Sequence, residues 1–384
     1  MARSWPKKAN RMATLTKLEA EKNTAVIPKT MQAAVYRGKD DIRLETVAVP
    51  EIGAGELLVR IHTCGICGTD LKKISTGSHS APRIFGHEMA GQVVAMGAGV
   101  RNFSTRDRVM VFHHIPCGEC YYCRKKVFAQ CTVYKKVGAT AGFEPSGGGF
   151  AEYIRVMDWI VRKGVVKIPD GVSYEQASFI EPVNTCMKAI EALELQPDET
   201  VLVVGQGPIG IMLAALARRT GATLVTSDLY PQRLKISESF GLGHNVNAGV
   251  ADPVAVVREL TDGRGADAVI LATAGNSLIK PAMDATRQGG RIMLFAQTQR
   301  SQVAIDPAAI CMDEKTLMGS YSASVDLQEE NVRLVFSGEI DFARLISHRF
   351  PLAGAVEALR LASHPAPDSM KIVIQPGMEW EKSI

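Results

Sequence analysis

Several things are scarce in this 384-residue chain, and each scarcity excludes something. No run of eighteen apolar residues occurs, so no segment is built to cross a bilayer as a helix. Cysteine is sparse for the length: eight residues, six of them in two tight clusters. That is too few for a disulfide scaffold, and the clustering suits metal binding in a reducing compartment, so a cytoplasmic location is expected. Positive charge is scarce once the first thirty residues are set aside. They carry seven Lys/Arg against two Asp/Glu, an excess of +5, whereas the whole chain is +4, so the other 354 residues carry −1. A near-neutral body is a poor surface for nucleic acid. The basic tail also lacks the apolar core of a secretory signal. It reads as a disordered extension, residues 1–30, or the product of an upstream start, because "MQAAVYRG" from Met31 has the texture of a domain start. Its basic content leaves an organellar transit peptide as the alternative.

What is present is an ordinary globular composition, 46% hydrophobic and 22% charged, in a chain long enough for two domains. There is no internal repeat. From Met31 to about residue 180, short β-branched runs such as "ELLVRIHT", "GQVVAMG", "DRVMVFHH" and "GFAEYIRV" lie between Gly/Pro turns and predict strands. The texture changes at "EPVNTCMKAIEALEL", where Val183, Cys186, Met187, Ile190 and Leu193 recur at helical spacing. Strand, glycine turn, helix, strand and helix then follow from Val201, with "ADAVILAT" and "GRIMLFAQ" as further strands. Alternating β and α elements imply a parallel sheet covered on both faces. Near the end, "DLQEENVRLVFSGEI" reads as a helix and "MKIVIQP" as a strand.

"VLVVGQGPIG" sets Gly205, Gly207 and Gly210 in G-x-G-x-x-G order directly after a buried strand. Such glycines permit a tight turn, a close approach of backbone to a pyrophosphate, and close helix–strand packing, while the helix N-terminus supplies amide donors. Alone the pattern is weak, and a glycine turn in an unrelated α/β domain would look the same. Here Asp228 ends the next strand, where a carboxylate accepts hydrogen bonds from ribose hydroxyls and repels a 2′-phosphate. Leu229 beside it offers no counter-cation, so NAD is expected over NADP; Arg233 is the one cation close enough in sequence to oppose that.

Two cysteine clusters differ in kind. "CGECYYCRKKVFAQC" spaces Cys117, Cys120, Cys123 and Cys131 so that four thiolates can enclose one Zn²⁺, a closed shell that is structural. An iron–sulfur cluster or free thiols are the alternatives. The "RKK" within it suits a solvated loop. In "HTCGICGTD", Cys64 and Cys67 stand at C-x-x-C spacing, and "GHE" brings His87 and Glu88 soon after. A catalytic zinc needs about three protein ligands and one open position, and a thiolate, an imidazole and a carboxylate provide such a set. A redox pair is less apt, because its usual setting is a helix N-terminus near a βαβ pattern, and Cys64 lies in or near a strand of a β-rich region.

Taken together, "GICGTD", "GHEMAG", the four-cysteine lobe, "EP" at 181–182, "GQGPIG" and "HRFPL" resemble the medium-chain zinc-dependent alcohol dehydrogenase superfamily, in its polyol (sorbitol) and threonine dehydrogenase branch. The resemblance runs from about Met31 to the end. It implies an α/β protein: a GroES-like β-rich catalytic domain over 31–182 and 323–384, with a structural-zinc lobe near 113–135, plus a Rossmann doubly wound domain over 183–322. It also implies that Cys67 rather than Cys64 is the zinc ligand, with His87, and that Glu88 and Glu181 share the carboxylate role, unranked. Asp70 would orient the histidine. Two Zn²⁺ per chain and NAD are the implied cofactors. Gly205, Gly207, Pro208, Ile209, Gly210, Asp228, Arg233 and Ala274 would form the NAD site, with Arg349 reaching the pyrophosphate. The implied chemistry is Lewis-acid activation of a secondary alcohol and hydride transfer to NAD, with Thr69 passing the substrate proton outward. One departure stands out: where many relatives have a histidine that ends this relay, five residues after Cys67, the chain has Lys72 and then Lys73.

The function expected is therefore an NAD-dependent dehydrogenase of a polyol, cyclitol, amino alcohol or sugar derivative, working as a homodimer or homotetramer without nucleic acid or membrane. A biosynthetic alcohol or aldehyde dehydrogenase with a more apolar substrate is the runner-up. A zinc-ribbon nucleic-acid-binding protein with a Rossmann sensor is the reading from another class. Phe143, Glu144 and Asn184 are candidates for substrate contact.

Overall fold

The computed structural model describes residues 27–134, 136–296 and 301–379. The expectation for the basic tail falls on residues 1–26 and lies outside the described residues.

Six strands form a wholly parallel sheet in the order His244–Asn247, Thr223–Asp228, Thr200–Val204, Ala266–Leu271, Thr286–Leu294, Thr316–Gly319. Val201, Leu202 and Val203 of the third strand are at most 2% exposed, as a strand covered on both faces requires. This is the doubly wound order in which the chain first grows one way from a central strand and then the other. The reversal point lies at the end of Thr200–Val204, where the glycine turn follows. The helix Ile180–Leu193 leads into this sheet, burying Val183, Cys186, Met187, Ile190 and Leu193, the stripe read from the sequence. The valine, methionine, isoleucine and leucine side chains each contribute roughly 1.5–3 kcal/mol by leaving water. The helix ends at Glu194 in the left-handed region, and Arg291 donates to the carbonyl of Leu193 left open there.

The second sheet is mainly antiparallel, ordered Ile346–Pro351, Lys371–Gln375, Leu57–Gly65, Glu88–Met96, Arg108–Val111, Val165–Lys167, with Tyr153–Val156 pairing beside Leu57–Gly65. Its eighth strand is Ala139–Thr140, which pairs with Tyr153–Val156. A three-stranded sheet, Asp41–Ala48, Thr30–Gly38, Arg83–Ile84, packs nearby. The chain's last strand returns to its beginning: Val373 stands opposite Gly65 and Ile374 opposite Cys64. The helix expected near residue 330 spans Gln328–Ser337.

One feature of this β region sets a pH response. His62 stacks on Tyr174 at 4.2 Å with its Nε2 buried and unbonded. Burial first, then Arg60 and Arg108, lowers its pKa from 6.5 to about 4. The unfolded chain therefore binds the proton more tightly, so this site's stability is intact above pH 6.5 and is lost as pH falls towards 4. A His62→Phe variant keeps the stack without the basic nitrogen. Its melting temperature is expected to gain on that of the wild type as pH drops from 7 to 4.5; a constant difference across that range would contradict the assignment.

Candidate active site and metal centres

Register brings the first donors together. Gly65 stands opposite Glu88 and Cys64 opposite Met89 across two antiparallel strands, so the chain leaving one strand meets the chain entering the other. Cys67 then caps the helix Gly68–Thr76, its Sγ accepting from the Thr69 amide at 3.5 Å. Cys67, His87 and Glu88 offer ligand atoms that lie within 4.8 Å of one another. Asp70, fully buried in the first turn of that helix, holds His87 Nδ1 at 3.1 Å. A carboxylate accepts, so Nδ1 carries a proton, and in the neutral ring Nε2 is then the nitrogen with a lone pair for a metal.

The electrostatics suit a cation. Burial disfavours a charged His87, but Asp70 and Cys67 outweigh burial and raise its pKa well above 6.5. Glu181 projects from the helix Ile180–Leu193 and lies outside the group of three; burial pushes its pKa up to about 7, with Glu88 adding to the rise while His87 opposes it. Glu88 is 1% exposed and neither oxygen has a hydrogen-bond partner. Its charge is met by Lys371 in a close, buried ion pair. A thiolate, an imidazole and a buried carboxylate gathered within 4.8 Å are a donor set that suits Zn²⁺.

The four-cysteine lobe fits a second ion more closely still. Tetrahedral zinc with bonds of about 2.3 Å sets its sulfurs about 3.8 Å apart. Here Cys117–Cys123 is 3.8 Å, Cys120–Cys123 is 3.5 Å and Cys117–Cys131 is 3.5 Å between Sγ atoms. Backbone N–H groups of Cys123 and Thr132 bring Cys120 down to about 6, which favours the thiolate.

At the glycine turn, Gly205 has φ +94°, and a Cβ on Gly210 would fall 1.8 Å from the Gly205 carbonyl oxygen, so both positions require glycine. A Cβ on Gly207 would meet nothing within 4 Å: the backbone there faces open space, as a pyrophosphate cradle must. Gly207 caps the helix Pro208–Arg218, with Pro208 and Ile209 in its first turn. Asp228 is held from both sides, accepting from the Gln206 amide at 2.7 Å and the Tyr230 amide at 2.9 Å. Ala274 follows the strand Ala266–Leu271 beside the turn, where Thr273 touches the space over Gly205. Arg233 lies against the Tyr230 ring at 5.1 Å.

Other residues singled out in the sequence fall in different places. Cys64 is wholly buried in its strand and burial raises its thiol pKa well above 9.0. Thr69 is exposed on the first turn of the helix Gly68–Thr76, and Lys72 is half-buried one turn later. Arg349 is engaged by Glu175 through two hydrogen bonds of 2.6 and 2.8 Å. Asn184 is fully buried, accepting from the Ser324 amide at 2.7 Å. Phe143 packs against the core, and Glu144 is exposed. The helix Gly68–Thr76 itself departs from the sequence reading: Cys67 does sit at a helix N-terminus, and what separates it from Cys64 is burial and its neighbour His87. Sequence reasoning also missed Lys371, on the last strand, and His113, whose ring centroid is 4.7 Å from that of His87. The doubled histidine before "IPCGEC" was the only signal for the second; the first had none.

Comparison with known proteins agrees with this geometry. Residues 53–170 match the family model described as the alcohol dehydrogenase GroES-like domain, and 208–337 match that of zinc-binding dehydrogenase. A sorbitol dehydrogenase of Bacillus subtilis is 29% identical over 360 residues, covering 92% of this chain and 99% of the relative. An uncharacterised zinc-type alcohol dehydrogenase-like protein of Escherichia coli is 33% identical, covering 87% and 96%. A crystal structure of a zinc-binding dehydrogenase from Sinorhizobium meliloti bound to NADP superposes with a TM-score of 0.80 at 28% identity, covering 91% and 100%.

Proposed function

The chain belongs to the zinc-binding alcohol dehydrogenase family, and from that premise we propose that it oxidises a polyol, cyclitol, amino alcohol or sugar derivative at a secondary hydroxyl, with NAD as acceptor. The observation that carries this reading is the convergence of Cys67, His87 and Glu88 within 4.8 Å of one another. Zinc held there, with Glu181 as a further carboxylate, supplies a Lewis acid that makes a bound hydroxyl more acidic. The chain's own residues do the rest. Asp70 fixes the His87 tautomer, and the glycine turn receives the dinucleotide phosphates. Thr69, whose amide donates to Cys67 Sγ, stands where a substrate proton would leave. A panel of polyols, cyclitols, amino alcohols and simple apolar alcohols, followed by NADH formation, tests the reading; a zinc-replete protein inert to all of them would sink it.

Asp228 supports NAD over the NADP held by the Sinorhizobium relative. A carboxylate and a 2′-phosphate about 4 Å apart repel by several kcal/mol at an intermediate dielectric. Asp228→Asn is therefore expected to raise the NADP-to-NAD ratio of kcat/KM by at least about tenfold, about 1.4 kcal/mol. An unchanged ratio would remove the carboxylate from the specificity argument.

Lys72 lies on the same helix as Thr69, three residues on and hence on the same face. We assign it the end of the proton path. Lys72→Ala is expected to shift the pH–rate profile while zinc content stays at two per chain; loss of metal with activity would show that it acts on the ligands instead. All eight cysteines are unpaired in the structure, which fits a reducing, cytoplasmic setting. No helix among the described residues is long and apolar enough to cross a membrane. The family resemblance points to a homodimer or homotetramer, which light scattering decides.

A further inference from the structure

Tyr134 occupies a junction that the reaction as described does not use. It is 4% exposed and lies three residues after Cys131, whose carbonyl accepts from its amide at 3.2 Å. On one side its ring meets His114 at 5.2 Å, His114 meets His113 at 4.0 Å, and His113 meets His87 at 4.7 Å between centroids. On the other side its hydroxyl bonds Ser322 Oγ at 2.9 Å. Ser322 has φ +62°, a conformation that a non-glycine residue keeps only when its surroundings fix it.

Ser322 belongs to the stretch that leaves Thr316–Gly319, the last strand of the parallel sheet. The helix carrying Glu181 grips the same stretch: Lys188 Nζ donates to the Tyr321 carbonyl at 2.8 Å and Asn184 accepts from the Ser324 amide at 2.7 Å. The four-cysteine lobe adds two more contacts. Lys126 pairs with Asp326 at 2.9 Å, and Val325 packs on the cluster of Cys123, Phe128, Cys131 and Tyr134. A lobe that only stabilised its own loop would not need this set of bonds to the chain leaving the cofactor-type sheet.

We propose that Tyr134 is a positioning residue: anchored in the four-cysteine lobe, it sets the segment 320–324 against the Glu181 helix and braces the row of tilted rings that ends on His87. The inference rests on the dehydrogenase reading above. It extends the lobe's role to the site at His87 and Glu181, through contiguous packed groups with Tyr134 at the fork. Because the two hydroxyls act as one link, removing either is equivalent to removing both.

The test is a double-mutant cycle of Tyr134→Phe and Ser322→Ala in the full, zinc-loaded chain. A neutral hydrogen bond corresponds to about a fivefold change. Each single variant is expected to lose kcat about fivefold, and the double no more than either, with NADH affinity within about twofold of wild type and two zincs retained. Amide hydrogen exchange at 322–324 is expected to quicken by a similar factor in all three variants. The proposal is overturned by unchanged exchange, by losses that multiply to about 25-fold in the double variant, or by zinc lost in step with activity. If the wild type reduces NAD with no alcohol in the panel, the dehydrogenase reading fails, while the exchange arm still decides whether Tyr134 holds this segment.

Discussion

A Cys67→Ala variant is expected to keep one zinc per chain and to lose turnover by about 10³-fold or more, the scale of a Lewis acid worth several kcal/mol in the transition state. The thiolate is one of three donors in the group with His87 and Glu88. Without it, His87 and a Glu88 already engaged by Lys371 remain, with Glu181 outside the group. The zinc that stays is the one in the four-cysteine lobe, whose sulfurs are untouched. The variant also loses the cap on the Thr69 amide, which costs about 1 kcal/mol and is small beside the catalytic loss. Cys64→Ala is the matched control. Cys64 is fully buried with Gly86 and Gly149 packed over its Sγ, so its loss lowers stability and leaves both zincs in place. Metal analysis beside NADH formation reads both variants; two zincs and near-normal turnover in Cys67→Ala would refute the ligand assignment.

Lys371→Met is expected to destabilise the metal-free protein by about 3–5 kcal/mol, the cost of leaving a buried carboxylate without its counter-charge. Lys371 is 5% exposed and Glu88 1%, and the lysine also donates to the Ile66 carbonyl at 3.1 Å. Burial disfavours its charge, yet Glu88 and Cys67 overcome that and hold its pKa above 10.5. Two charges that deep stand only as a pair. Adding Glu88→Gln to the variant is therefore expected to recover most of the loss, since the orphaned charge is then gone. Urea unfolding at unchanged slope measures each step. A single-variant loss below about 1 kcal/mol, in the range of a surface pair, would contradict the pairing.

How far the site was legible depends on how local each signal is. The glycine turn and the four-cysteine lobe are written in contiguous residues with fixed spacing, and their chemistry needs little beyond that spacing. The meeting of Cys67 with His87 depends on the register Gly65 opposite Glu88, which no motif states; it came from resemblance. Lys371 was out of reach, because only the pairing of the last strand with Leu57–Gly65 brings it to Glu88. The helix Gly68–Thr76 escaped because it starts on glycine and buries only Asp70 and Ile74, too few for an amphipathic stripe. The partner of Arg349 was equally out of reach: Glu175, which holds it, lies far from its string in sequence.

The central claim is that Cys67, His87 and a nearby carboxylate hold a cation facing a dinucleotide. Diffraction at the zinc absorption edge, from crystals grown with zinc and NADH, tests it most directly. The account predicts two anomalous peaks, one enclosed by Cys117, Cys120, Cys123 and Cys131, the other bonded to Cys67 Sγ and His87 Nε2 with the nicotinamide ring beside it. A peak in the lobe alone, or a nicotinamide bound away from His87, would contradict it.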